Sequence, residues 1–317
     1  FDTLTPTDVQ SSDWKQRCQA LAQAAAGNLT LDPRKVMDCL RDSHPLVRRQ
    51  AINTCRTLKL LSAVTSIAEL LKDDEQCVSS AAALALGDLG DKSSVKAILS
   101  ALESNPSWIF KESASTGLAS LAKADYTTIV AALKDDKWFV RQVAARALRS
   151  MTNPEIVEAL ENAGRSDKAN TVRFYALSSM RAHPTQRFIN FLMDSLHDRS
   201  PLVSSYAAKY LGELTTLMRP EQKSRAFDEL SVLFNQYDAN CKRSDKDWGW
   251  RLVGSALKQL GPNGVSYLDN LRASSGDTKL AWRAFVVLYL PLGQGTFPTY
   301  TEADVTKAFQ NYAPKTK

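Results

Sequence analysis

Glycine and proline are scarce in this 317-residue chain, 13 and 12 in all, and histidine occurs three times. So few helix breakers suit a mostly helical chain. No apolar run approaches the ~18 residues of a membrane-spanning helix. The longest, at 284–290, reads as part of a core helix. No period-two alternation marks a strand within the repeating part of the chain. The histidines, His44, His183 and His197, stand in His-Pro, His-Pro and His-Asp contexts. No His-x3-His pair, nucleophile elbow or phosphate loop occurs. The expectation is a chain with no catalytic residue, metal site or cofactor, because function has to be argued from a site.

Cysteine is also sparse: Cys18, Cys39, Cys55, Cys77 and Cys241. None forms a Cys-x-x-Cys pair, and the odd count argues against a full disulfide framework. The first four have apolar neighbours and are expected as buried free thiols, which pack like small hydrophobes. A single bridge between adjacent repeats remains the alternative. Cys241 falls in a polar stretch and is the expected reactive thiol. The chain opens on Phe1, which predicts loss of a signal peptide or of neighbouring domains. The compartment stays open between cytoplasm and export, with a place in a larger multidomain chain as one reading. A net charge of +6 permits an acidic partner without requiring one.

What the chain has is a period. An aspartate stands six residues before an arginine in Asp42/Arg48, Asp135/Arg141, Asp167/Arg173, Asp245/Arg251 and Asp277/Arg283. The residue before the basic position traces a register: Gln16, Val47, Val78, Phe110, Val140, Val172, Val203, Trp250 and Trp282. Its steps are 31, 31, 32, 30, 32, 31, 47 and 32. The basic position itself holds six arginines, Lys111, Ser79 and Ser204. Six residues upstream, all nine copies carry Ser, Asp or Asn, residues that cap helix N-termini. Such a period marks stacked repeats.

Each unit reads as two short helices and a tight turn. In residues 93–122, Val95, Ile98, Leu99 and Leu102 have helical spacing, Asn105-Pro106 ends that run, and a second run follows. Asp125 opens the next pair. Pro45 and Pro201 sit where a first helical turn tolerates a missing N–H. The Asp is expected to cap the second helix. The Arg is expected to reach carboxylates of its own and the neighbouring turn, giving a ladder that sets register. Repeats with Ser79 and Ser204 should have weaker rungs or none. The apolar faces supply most of the cohesion, since one helix pair cannot bury its own stripe.

The Asp-x5-Arg pairs, and runs such as 78–90 with its Val-Ser-Ser-Ala-Ala-Ala-Leu-Ala-Leu-Gly-Asp-Leu-Gly, resemble the HEAT-repeat superfamily. The resemblance is strongest to its short bacterial-type, phycobilisome-lyase-like subgroup, and it covers about residues 11–290. It implies an all-α superhelix of about nine antiparallel helix pairs, with the second helices lining a concave side. It also implies, as a third functional reading, an enzyme or lyase component. The chain departs from HEAT-based di-iron hydroxylases in having no His-Glu pairs. The catalytic carboxylate of HEAT-like DNA glycosylases cannot be assigned.

The expected organisation is a solenoid over 1–290, with an insertion around 215–247 that causes the 47-residue step. Within it, 221–237 has helical apolar spacing at Phe227, Leu230, Leu233 and Phe234, and 238–247 reads as a polar loop. Residues 291–317 form a turn-rich segment whose Thr301-to-Asp304 capping box predicts a short covering helix.

Two surfaces are candidates for binding. Trp108, Trp138 and Trp248 share the position two before the register residue, and Phe139 follows Trp138. Aromatics beside basic residues make common contact surfaces; the alternative is that they pack between repeats. Arg146, Arg149, Arg181 and Lys209 fall on adjoining positions of the second helices and would form a concave basic patch; the alternative is a solvated face. The leading reading is a noncatalytic scaffold that binds a macromolecule, protein first, on the concave face. The second is a binder of nucleic acid or another polyanion through the basic patch.

Overall fold

A computed structural model describes residues 5–105, 107–182, 184–240, 249–276 and 278–289. Among the described residues every regular element is an α- or 3₁₀-helix. The chain divides into two compact units, Phe1–Ala182 and His183–Lys317, each described by itself.

The first unit contains α1 (Trp14–Ala25), α2 (Pro33–Asp38), α3 (Pro45–Thr57), α4 (Val64–Glu69), α5 (Gln76–Leu89) and α6 (Ser93–Ser104). It continues with α7 (Trp108–Ala131), α8 (Trp138–Ala147), α9 (Pro154–Ser166) and α10 (Asn170–Met180). The second helices stack in series: α1 on α3, then α5, α7, α8 and α10. The helices α2, α4, α6 and α9 pack against them as the other member of each pair. In α7 the chain runs from one pair into the next through Asp125, whose φ of −155° and ψ of 72° break the helix. Its carboxylate accepts the Thr128 N–H at 3.1 Å and the hydroxyls of Thr127 and Thr128 at 2.8 and 2.6 Å, which restarts the helix.

Five register residues of the first unit lie in its core, whereas Gln16 at the first repeat is exposed. Val47, Val78, Phe110, Val140 and Val172 are all buried. Burial follows from the period, since each repeat presents the same helical position to its neighbours. Polar side chains also tie successive second helices. Buried Thr54 and Ser179 occupy one register position and donate to the carbonyls of Leu21 and Ala145 at 3.0 and 2.8 Å. α5 and α7 approach closely at Gly87 and Gly117. A Cβ on Gly117 would lie 2.3 Å from the Ala83 carbonyl oxygen.

The second unit contains α11 (Gln186–Ser195), α12 (Pro201–Glu213), α13 (Pro220–Asn240), α14 (Gly249–Gln259), α15 (Pro262–Ser274) and α16 (Thr278–Tyr289). α11 packs on α12, α12 and α13 on α14, and α14 and α15 on α16. Among the described residues the long step of the register adds no separate α-helix. The insertion lengthens the first helix of one pair, α13, to 21 residues, with Leu230 and Phe234 buried. Residues 238–240, expected in a loop, complete that helix. The rest of the expected loop, with Cys241, Asp245 and Trp248, lies outside the described residues, as do Asp277 and the segment 291–317.

Candidate functional site: an interrupted ladder and an aromatic ridge

The ladder differs from the expected cap. Asp42, Asp73, Asp135 and Asp167 each end the preceding helical segment in an extended conformation. Their Oδ1 atoms accept the N–H two residues on, from His44, Glu75, Lys137 and Ala169, at 2.8 to 3.0 Å. That residue, and not the Asp, is the N-cap of the following helix. The carboxylate therefore organises the turn between helices while both of its oxygens stay open to a cation.

The cation comes from the previous repeat. Arg17 grips Asp42 through Nε and Nη2 at 2.7 and 2.8 Å. Arg48 grips Asp73 at 2.8 and 2.8 Å, and Arg141 grips Asp167 at 2.6 and 2.8 Å. For Arg48, Arg141 and Arg173 the Asp six residues upstream supplies a backbone carbonyl: Arg48 Nη1 donates to that of Asp42 at 2.9 Å. Arg141 Nη1 does the same to Asp135 at 2.8 Å, and Arg173 Nη1 to Asp167 at 2.8 Å. Burial pushes the Asp42 and Asp167 carboxyls up, but their Arg partners and backbone N–H donors prevail and hold both below the usual carboxylate range. In the second unit Arg251 is buried, and Arg283 lies 5.6 Å from the Trp250 ring centroid.

The ladder changes character around α7. At Ser79 the rung is neutral: Asn105 Nδ2 donates to the Ser79 hydroxyl at 3.2 Å. A cation and an anion are thus replaced together. At the next rung Lys111 leaves the ladder. Its Nζ lies 5.2 Å from the Trp138 ring centroid and 5.3 Å from that of Phe139. Among the described residues no carboxylate comes within 4.0 Å of it. Lysine is a point charge on a flexible stem and cannot make the two-pronged contact that holds Arg in place.

The aromatic ridge stands at this interruption. Trp108 and Trp138 begin the neighbouring helices α7 and α8 and are 72% and 45% exposed. Ile109 is 41% exposed, and Phe139 is half-buried, edge-on to Trp138 with ring centroids 6.0 Å apart. The indoles therefore do not fill the core between repeats. Two residues of this register went unnoticed in the sequence. Trp14 holds the same position as Trp108, and its ring stacks on His44 at 4.0 Å between centroids. Counting the register back from Gln16 would have found it. Lys111 was counted as a ladder cation, and nothing in its spacing distinguished it.

The four basic candidates differ in their surroundings. Arg146, Arg149 and Arg181 belong to the first unit and Lys209 to the second. Arg146 is half-buried in an ion pair with Glu112, and its guanidinium lies 5.6 Å from the Tyr175 ring centroid. Burial, then Arg149, push its pKa below the ordinary arginine value. Arg149 and Arg181 are exposed, and Lys209 lies over the rings of Tyr206 and Tyr210 at 5.6 and 6.0 Å. Among the described residues no group of three or more His, Cys, Asp or Glu side chains converges, and no helix is long and apolar enough to cross a membrane. A small cavity of about 210 Å³ beside Arg17 and Asp42 is lined also by Lys35, Asp38 and Cys39.

Stacked helix pairs tied by a repeating side-chain ladder define an all-α repeat protein of the solenoid class, in which a surface and not a cleft is the natural site. The family described as HEAT repeats matches residues 33–119 and 95–181, so this part of the chain carries HEAT repeats. No curated protein matches it. Similar solved structures include YibA of E. coli, at 16% identity over 89% of this chain and 100% of that one, with a TM-score of 0.46. An engineered protein matches at 16% identity over 89% and 86%, with a TM-score of 0.41. The complex of CpcE and CpcF of phycocyanin lyase from Nostoc sp. PCC7120 matches at 20% identity over 75% and 96%, with a TM-score of 0.38.

Proposed function

We propose that this chain is a noncatalytic scaffold that holds a macromolecular partner, a protein first of all, on the ridge at the start of α7 and α8. The observation that carries this reading is the exposure of Trp108 and Trp138 on adjacent helices. Leaving an indole in water forgoes roughly 2–3 kcal/mol of burial per side chain. Exposed apolar clusters on a rigid frame mark contact surfaces, and tryptophan is the residue most enriched at binding hot spots. The ridge lies at the ends of the second helices, so it shifts the expected contact from the helix faces to the turn edge. The polyanion reading loses Arg146 to Glu112 and keeps Arg149 and Arg181 as its exposed cations in this unit.

The test compares proteins retained by the full chain and by its Trp108→Ala/Trp138→Ala variant, across a salt series. The expected result is loss of the retained partner in the variant, with unchanged circular dichroism. A partner that binds the variant as well as the parent removes the ridge from consideration. Affinity that collapses steeply with salt and depends on Arg149 and Arg181 would favour the polyanion reading instead.

A further inference from the structure

We infer that the ridge takes a peptide segment in which a carboxylate side chain lies between apolar side chains, and that Lys111 is the group that reads the carboxylate. This rests on the ridge being the binding surface. Elsewhere in the first unit the equivalent residues, Arg17, Arg48 and Arg141, are spent on the Asp of the following repeat. Lys111 is not. The Trp138 and Phe139 rings hold its ammonium in place without neutralising it. Glu103 and Glu112 already have cations: Lys137 pairs with Glu103 at 2.7 Å, and Arg146 pairs with Glu112. Asp135 is fastened into its own turn by the Lys137 N–H at 2.8 Å. Lys111 is thus a cation with no acid among the described residues within 4.0 Å, set against Trp138, and its own helix begins with exposed Trp108 and Ile109.

The chemistry of the occupant follows from that arrangement. One unmatched ammonium suits one carboxylate, in a charge-assisted hydrogen bond. A nucleic-acid backbone needs several cations in a row, and here it would meet Asp135, Asp136 and Glu103 instead. Packed helices lie roughly 8–10 Å apart, and an extended strand rises about 3.3 Å per residue. Side chains of an extended segment alternate faces, so one crossing from α7 to α8 presents its contacts at alternate positions, with Asp or Glu among the apolar side chains.

A displayed library of short random peptides, selected on the full chain, tests this. The expected winners carry Asp or Glu within a few positions of Trp, Phe or Leu. Synthetic copies should bind Lys111→Glu at least about tenfold more weakly than the parent, a difference near 1.4 kcal/mol. Lys111→Met keeps the hydrocarbon stem and should also weaken binding, so that a misfolded charge-reversal variant does not decide the result. Selection on the Lys111→Glu variant should enrich Lys or Arg in place of the acid. Winners that need Trp108 and Trp138 but ignore both Lys111 variants overturn this inference and leave the ridge standing. Winners indifferent to Trp108→Ala/Trp138→Ala overturn both. A library that yields no acidic preference, or no binder, overturns the inference as well.

Discussion

Arg141 and Asp167 are 26 residues apart in sequence and are joined side by side through two hydrogen bonds of 2.6 and 2.8 Å. The same guanidinium donates through Nη1 to the Asp135 and Asp136 carbonyls at 2.8 and 3.0 Å. One side chain thus fastens its own inter-helix turn to the next. The pair is largely shielded, with side-chain exposures of 15% and 7%. It therefore escapes most of the solvent screening that makes surface pairs weak.

Arg141→Gln should lower the stability of the first unit by about 2–3 kcal/mol, because it strands a shielded carboxylate and two carbonyls. Urea unfolding followed by circular dichroism measures this. A change below about 0.5 kcal/mol, the usual range for an exposed site, would show that the ladder is decorative.

Acid should dissolve the ladder. Asp42 and Asp167 have folded-state pKa values below the usual carboxylate range, so the unfolded chain takes up these protons first. Their stabilisation is complete above the ordinary carboxyl pKa of about 3.9 and is lost as the pH falls through the lower folded-state values. Thermal midpoints measured from neutral pH down to about 3 should fall, and the Asp42→Asn/Asp167→Asn variant should show a shallower fall over that range. Parallel curves for the two proteins would contradict the assignment.

Gly117→Ala should separate α5 from α7. The added methyl would sit 2.3 Å from the Ala83 carbonyl oxygen, a backbone atom with little freedom to move. The expected cost is about 1–3 kcal/mol, as for overpacked cores. Thr116→Ala, one residue away and exposed, should stay within about 0.5 kcal/mol. Equal melting points for the two variants would refute the close approach.

Thiol labelling should separate the cysteines. Burial pushes Cys39 up to about 11 and Cys55 up to about 12, so neither presents appreciable thiolate at pH 8. The part-exposed Cys77 should alkylate in the native protein, with Cys39 and Cys55 protected until denaturant is added. Peptide mass spectrometry reads the order directly. Early labelling of Cys55 would place it outside the core.

Much of the fold was legible because it is local. Helical spacing, Pro45 and Pro201 at first turns, the helix stop at Asn105 and the Asp125 restart all act within a few residues, and the structure keeps each of them. The candidate site was only half legible. The shared register of Trp108 and Trp138 was visible, but exposed and packed indoles look alike in a sequence. The ladder was seen as a motif and misread as a geometry. The Asp six residues upstream offers Arg48 and Arg141 a carbonyl, whereas the carboxylate belongs to the following repeat. Arg146 looked like an open cation because Glu112, its partner, lies on a different helix.

The sequence by itself therefore determined the period, the helix pairs and the buried register residues, since apolar spacing and turn residues encode these without reference to distant contacts. The tertiary structure alone decided which Asp each Arg holds, that Lys111 turns to Trp138 instead of Asp135, and that the two indoles face water. Those outcomes depend on how far apart adjacent repeats stack and which side chains can span the gap. That distance is fixed by core packing at positions such as Gly87 and Gly117, not by the residues whose charges it brings together.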